Sequence, residues 1–338
     1  MKTLLLSSEY ADIKTAAQII RNGGVVAMPT ETVYGLAADA LNGEAVRKIF
    51  RAKGRPADNP LIVHISELSQ IYSLVREFPV RARRLAEKFW PGPLTMILPK
   101  SALIPDEVSA GLDTVAVRFP SHPTARQLIS LSAPLAAPSA NLSGSPSPTS
   151  LRHVRDDMDG RIDAIIDGGD CEVGVESTVI TLATPIPELL RPGGITFEQL
   201  KDTIGEIIIN SAVINPLGEG QQAASPGMKY KHYSPKAEVV LLDGDKEGFY
   251  EYIRKYGKAG EAVLCYNEDL GHISLPCISI GSEHDYRTQA HRLFTALRMV
   301  DEEGIAKVYA HCPEKRGIGL AVYNRIIRAA GFNIVKLR

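Results

Sequence analysis

GVVAMPTETVYGLAADA, residues 24–40, opens as an apolar β-rich run over 24–28 and then breaks at Pro29 into Thr30, Glu31, Thr32, Tyr34 and Gly35. A strand that ends in hydroxyls, a carboxylate and a glycine sets those groups at the rim of a sheet, where α/β proteins bind ligands. Taken alone, the segment also reads as an ordinary strand exit into water. Around it, β-rich runs at 61–65, 95–98, 114–119, 164–166 and 176–182 alternate with amphipathic stretches at 12–21, 44–53, 79–89, 123–131 and 196–204. That alternation predicts a mixed α/β domain over 1–209. Thr196 followed by Gln199 is a capping-box pattern at the start of its last helix.

The pattern stops in 210–236, a segment rich in Gly, Pro, Ser and Gln that reads as a linker and gathers Lys229, Tyr230, Lys231, His232 and Tyr233. A cleaner alternation follows over 237–338, with strands at 238–242, 262–266, 277–280, 307–312 and 333–337 and helices from 246, at 285–303 and at 319–330. It predicts a smaller open α/β sheet, parallel and doubly wound.

The 338 residues suit two domains rather than one core, and 44% hydrophobic with 23% charged residues describes a globular chain. With 38 basic and 39 acidic residues the net charge is −1, so an anion site must be a local cluster rather than a chain-wide field. Cys171, Cys265, Cys277 and Cys312 form no CxxC pair or disulfide framework, which fits a reducing cytosol. No 18-residue apolar run occurs, so no membrane insertion is expected, and the expected compartment is the cytoplasm.

A Walker sequence is absent, and Gly317-x-Gly319 lacks the third small residue of a dinucleotide turn. Lys53-Gly54-Arg55-Pro56-Ala57-Asp58-Asn59-Pro60 has a point charge, a planar fork and an Asn braced between prolines, which suits a rigid anion grip. The helix dipole accounts for the cations, but not for the prolines. His64, with Ile62, points to the face opposite Leu61, Val63 and Ile65, and Arg118, with Thr114 and Ala116, to the face opposite Val115, Val117 and Phe119, though a lone strand His is more often structural than functional. Ala137–Gly144 supplies small hydroxyl and amide groups that let backbone approach a phosphate, running on into Ser145–Thr149, which reads equally as an exposed loop. Glu176-Ser177-Thr178 opens another strand, and Arg191 precedes a Pro-Gly-Gly turn.

Taken together, PTETVYGL (29–36), KGRPADNPL (53–61), WPGPLT (90–95), VAVRFP (115–120), APSANLSG (137–144), EST (176–178) and LRPG (190–193) resemble, in order, the motifs of the YrdC-like domain. SPGMKYKHYSP (225–235) and GIGLAVYNR (317–325) resemble the longer, two-domain form of the threonylcarbamoyl-adenylate synthases. The resemblance implies a twisted mixed sheet with a concave basic cavity, joined by a linker to a smaller Rossmann-like domain. It implies synthesis of L-threonylcarbamoyl-adenylate from L-threonine, bicarbonate and ATP with Mg²⁺, releasing pyrophosphate, the product passing to a tRNA threonylcarbamoyl transferase complex. Carried over by position, Thr32, His64, Arg118, Ser139 and Ser177 are its threonine-binding residues. Arg55, Asn59, Thr114, Asn141, Thr149, Arg191 and Tyr233 are its ATP-binding ones, and Lys53 with Arg55 supplies catalytic cations.

No covalent nucleophile stands out, so the expected chemistry is positioning and charge stabilisation, with 225–235 as a lid over the nucleotide. Two rivals remain at the level of sequence. A carbamoyl-adenylate synthase would carry zinc-finger cysteine pairs and an acylphosphatase domain, which this chain lacks. A non-catalytic RNA-binding module would use the basic helix faces with Arg47, Lys48 and Arg51, or Arg81, Arg83, Arg84 and Lys88.

Overall fold

A computed structural model describes residues 2–216 and 233–337. The larger sheet contains β1 (Leu4–Leu6), β2 (Val26–Met28), β3 (Gly35–Asp39), β4 (Ile62–His64), β5 (Leu94–Pro99), β6 (Thr114–Arg118), β7 (Leu135–Ala136), β8 (Ala164–Ile166), β9 (Thr178–Thr181), β10 (Glu188–Arg191) and β11 (Ile208–Ile209). Its order is β1-β8-β2-β3-β7-β4-β6-β5-β9-β10-β11, with parallel and antiparallel pairs mixed. Helices α1 (Tyr10–Arg21), α2 (Gly43–Lys53), α3 (Ile71–Leu74), α4 (Val80–Phe89), α5 (Asp106–Ser109), α6 (Pro123–Leu131), α7 (Leu151–Met158) and α8 (Phe197–Ile204) accompany it.

Strand alternation sorts the core onto two faces. Val26 and Met28 pack with Ile13, Ala17 and Ile20 of α1 and with Leu128 of α6. Ala27, Leu36 and Ala38 face the other way, into the cluster with Val46, Ile49 and Phe50 of α2. The quoted opening segment is a hairpin: β2 and β3 pair antiparallel, and 29–34 bridge them.

The second sheet, β12 (Glu238–Asp243), β13 (Glu261–Cys265), β14 (Cys277–Ser279), β15 (Lys307–His311) and β16 (Ile334–Lys336), is parallel throughout, as expected. Its order, β14-β13-β15-β12-β16, inserts β15 between the first two strands in chain order. On one face Val240 and Leu242 pack with Phe249 of α9 (Lys246–Tyr256). On the other, Val239 and Leu241 join α10 (Tyr286–Glu302) and α11 (Gly319–Ala329) in the same cluster as the first domain's core. Every residue of α11 is buried, as befits a helix covered by its own sheet on one side and a neighbouring domain on the other. No helix of the described residues is long and apolar enough to cross a membrane.

Candidate active site

One rim of the large sheet collects the polar groups. β4 and β6 run parallel with His64 opposite Arg118, both at strand ends, and β5 runs back with Thr95 opposite Arg118. Ser177 precedes β9, Arg191 ends β10, and Gly35 bridges to Ser139 beside the hairpin. A cavity opens there, lined by Thr32, Lys53, Arg55, His64, Arg118, Ser139, Asn141, Ser177, Arg191 and Tyr233 among others. These are ten of the residues singled out from the sequence.

Three others lie elsewhere. Thr114 begins β6, four residues from Arg118, which at a strand rise of about 3.3 Å per residue puts it roughly 13 Å down the strand; it pairs with Pro99. Thr149 is buried beside the α7 start, its Oγ1 3.4 Å from His153 Nδ1 and its carbonyl accepting from the Cys171 N–H. Asn59 is buried too, and its main-chain carbonyl accepts from Arg55 Nη2 at 3.1 Å. Of the linker, Lys229, Tyr230, Lys231 and His232, with most of the expected lid, lie outside the described residues. Tyr233 lies within them, in the left-handed region with φ 64°, its ring 5.4 Å from that of Phe294. The Ser234 N–H donates to the Gly144 carbonyl at 2.9 Å, fixing the chain beside the small-residue loop.

The hydrogen bonds give the site a direction. Thr30 Oγ1 spends its hydrogen on the Val33 carbonyl at 2.6 Å, so Thr32 Oγ1, 3.0 Å away, must donate to Thr30 and accept from Arg118 Nη1 at 2.8 Å. Glu31 pairs with the same guanidinium at 2.7 Å, so Arg118 is oriented from two sides. Arg191 donates from Nε to the Ser177 carbonyl at 3.0 Å and from Nη2 to Ser177 Oγ at 3.1 Å, and Ser177 Oγ meets Thr95 Oγ1 at 2.8 Å.

Lys53 Nζ donates to the carbonyls of Ser139 at 2.5 Å and Asn141 at 2.7 Å. Burial, with Arg55 beside it, lowers its pKa to about 7, so near neutrality this amine is poised between its two forms. His64 is pushed down to about 3 by burial and then by Arg118. It is therefore a neutral imidazole, and its Nδ1 carries the hydrogen given to the Ile62 carbonyl 3.1 Å away. Glu176, also lining the cavity, stays ionised in spite of its burial because Arg325 and Arg191 face it and Ser147 donates to it.

The sequence reading set Glu31 at the rim and Ser147 in the loop after Gly144, but gave neither a partner, and it gave Arg325 no role in the site. Glu31 and Arg325 stood inside quoted motifs, but nothing in their spacing announced their partners. Among the described residues no group of three His, Cys, Asp or Glu is placed to hold a metal. The nearby carboxylates Glu31 and Glu176 are each taken by an arginine. This donor set does not fit a resident Mg²⁺. The basic helix faces are partly spoken for as well: Arg47 pairs with Glu44 and Glu107, and Lys48 donates to the Gly23 carbonyl.

Comparison with known proteins gives the family. The family model described as telomere recombination, which joins Sua5, YciO and YrdC, matches residues 18–193. The model described as threonylcarbamoyl-AMP synthase, C-terminal domain, matches 195–331. The chain belongs to the threonylcarbamoyl-AMP synthase family. It is 48% identical to the threonylcarbamoyl-AMP synthase of Pyrococcus abyssi over 96% of both chains, and 46% identical to that of Bacillus subtilis over 98% of this chain and 96% of the relative. Among solved structures, P. abyssi Sua5 complexed with L-threonine superposes with a TM-score of 0.93 at 45% identity, covering 100% of both chains. Both domains of the synthase family are therefore present, in the same arrangement.

Proposed function

We propose that this chain makes L-threonylcarbamoyl-adenylate from L-threonine, bicarbonate and ATP, releasing pyrophosphate, and that the product serves threonylcarbamoyladenosine formation in tRNA through a separate transferase complex in the cytoplasm. The observation that carries this reading is the meeting of Arg118, fixed by Glu31 and Thr32, with Lys53, Arg55 and Arg191 around one cavity. Threonine brings a carboxylate, an amine and a hydroxyl, which Arg118 and the Thr32, Ser139 and Ser177 groups suit. A triphosphate calls for several cations, and Lys53, Arg55 and Arg191 are the ones at hand.

In this reading the threonine amine takes up bicarbonate with loss of water, giving a carbamate. A carbamate oxygen then attacks the α-phosphorus of ATP, and the bond to the departing pyrophosphate breaks. The side chains hold the two reactants in line and offset the charge that gathers on the leaving group. His64, being neutral, acts as a hydrogen-bonding wall rather than a cation. Magnesium belongs to the ATP substrate, carried in on its phosphates.

The test is pyrophosphate release from MgATP with threonine and bicarbonate omitted in turn and serine in place of threonine. Release that needs both, with threonine ahead of serine, is the expected result. Its absence from folded protein, with salt-sensitive tRNA binding instead, would favour the RNA-binding module.

A further inference from the structure

The second domain reaches the cavity wall through a buried arginine. Arg325 on α11 is 0% exposed, and its Nε donates to Glu176 Oε2 at 2.7 Å. Its Nη2 donates to the Pro192 carbonyl at 3.1 Å and its Nη1 to Asn324 Oδ1 at 2.6 Å, so the fork is held on three sides. The guanidinium also lies 5.3 Å from the centre of the Tyr233 ring, another cavity residue. The second Glu176 oxygen accepts from the Ser147 hydroxyl, which lines the same cavity. Next to Ser147, the Pro146 carbonyl accepts from Arg298 Nη2 of α10 at 2.7 Å, and that arginine is anchored on Asp157 at 2.6 Å. Two arginines of the second domain thus brace the loop that carries Ser145 and Ser147.

The placement matters because of charge. Among the described residues that line the cavity Glu176 is the single carboxylate, set amid Lys53, Arg55, Arg118 and Arg191. A carboxylate there repels an incoming anion and attracts the cations that would bind it. After Arg325, the next cation whose field acts on Glu176 is Arg191. Building on the proposed reaction, we propose that Arg325 is a positioning residue for the nucleotide: by satisfying Glu176 from outside the cavity it keeps that carboxylate off Arg191 and holds Ser147 in place. The second domain then sets the affinity for the triphosphate without touching it.

The experiment compares the full-length chain with Arg325→Gln and with the charge-neutral pair Arg325→Gln/Glu176→Gln, reading KM for ATP and for threonine in the pyrophosphate assay. Loss of one partner of a buried pair predicts a KM for ATP raised about tenfold or more in Arg325→Gln, against a change of about twofold or less for threonine. The double variant, which no longer buries an unanswered charge, returns to within about threefold of the parent in KM for ATP. An unchanged KM for ATP in folded Arg325→Gln, or a double variant still raised about tenfold, would overturn the inference. If Arg325→Gln does not fold, the double variant decides alone. A parent chain without threonine-dependent and bicarbonate-dependent release overturns the reaction itself, so the two failures are distinct.

Discussion

Glu31 Oε1 lies 2.7 Å from Arg118 Nη2, with both side chains almost wholly inside the protein. Beside this ion pair, Arg118 Nη1 donates to Thr32 Oγ1 at 2.8 Å. Arg118→Lys keeps the charge but cannot serve Glu31, Thr32 and a substrate carboxylate at once. Its expected effect is a KM for threonine raised about tenfold or more with little change for ATP, as for loss of one charge-assisted bidentate contact. Arg118→Met in addition strands Glu31 and should cost about 3–5 kcal/mol of stability, visible as a large fall in Tm. Equal effects of Arg118→Lys on both substrates would contradict the assignment.

The Lys53 amine titrates at about 7 in the absence of substrate because burial, then Arg55, disfavours its charged form. The cation is present below that pH and lost above it, so kcat/KM for ATP, which reports the uncomplexed enzyme, should decline as pH rises through the region of 7. Lys53→Arg stays charged and should lack that decline, whatever its absolute rate. The same alkaline limb in both proteins would remove Lys53 as its source.

His64, held near 3 by burial and Arg118, has no proton to lose between pH 5 and 8. His64→Asn, whose side-chain amide can still donate to the Ile62 carbonyl, should therefore leave the shape of the pH profile in that range unaltered. An acid limb present in the parent and missing from His64→Asn would show that the ring is protonated after all.

Gly193 sits where a Cβ would come within 2.5 Å of the Thr178 nitrogen and 2.6 Å of the Glu176 carbonyl oxygen, both backbone. At its neighbour Gly194 a Cβ would meet only side chains, Pro93 Cγ at 3.2 Å and Val173 Cγ1 at 3.3 Å. Gly193→Ala should then cost about 1–3 kcal/mol by overpacking and disturb the Glu176–Thr178 segment, while Gly194→Ala is milder. Thermal melts of the two variants check this, and equal Tm values would refute it.

How much of this was legible in the sequence depends on the distance over which a residue acts. Alternation on β4 and β6 placed His64 and Arg118 on the face opposite Val63, Val115 and Val117, together with Ile62 and Ala116, and neighbouring strands brought them together. The same alternation put Thr114 on that face without saying how far along the strand the cavity reaches. GLAAD, the β3 sequence, has too little β-branched character to announce a strand and becomes one by pairing with β2. Asn59 and Thr149 are buried at motif positions outside the cavity lining, the Asn59 carbonyl accepting from Arg55 and Thr149 Oγ1 lying 3.4 Å from His153 Nδ1, contacts that no motif spells out. Contacts such as Glu176 with Arg325 depend on how two domains dock, which no local pattern encodes.

Arg325 follows Glu176 by 149 residues. As the chain is synthesised, the strands of the large sheet exist well before the helix that answers their buried carboxylate, and ordering the pocket must wait for it. Until then an ionised Glu176 has reason to remain in water, keeping its wall of the pocket unfinished. A chain released before residue 325 would lack the guanidinium that answers Glu176, and that wall of the cavity would keep an uncompensated carboxylate.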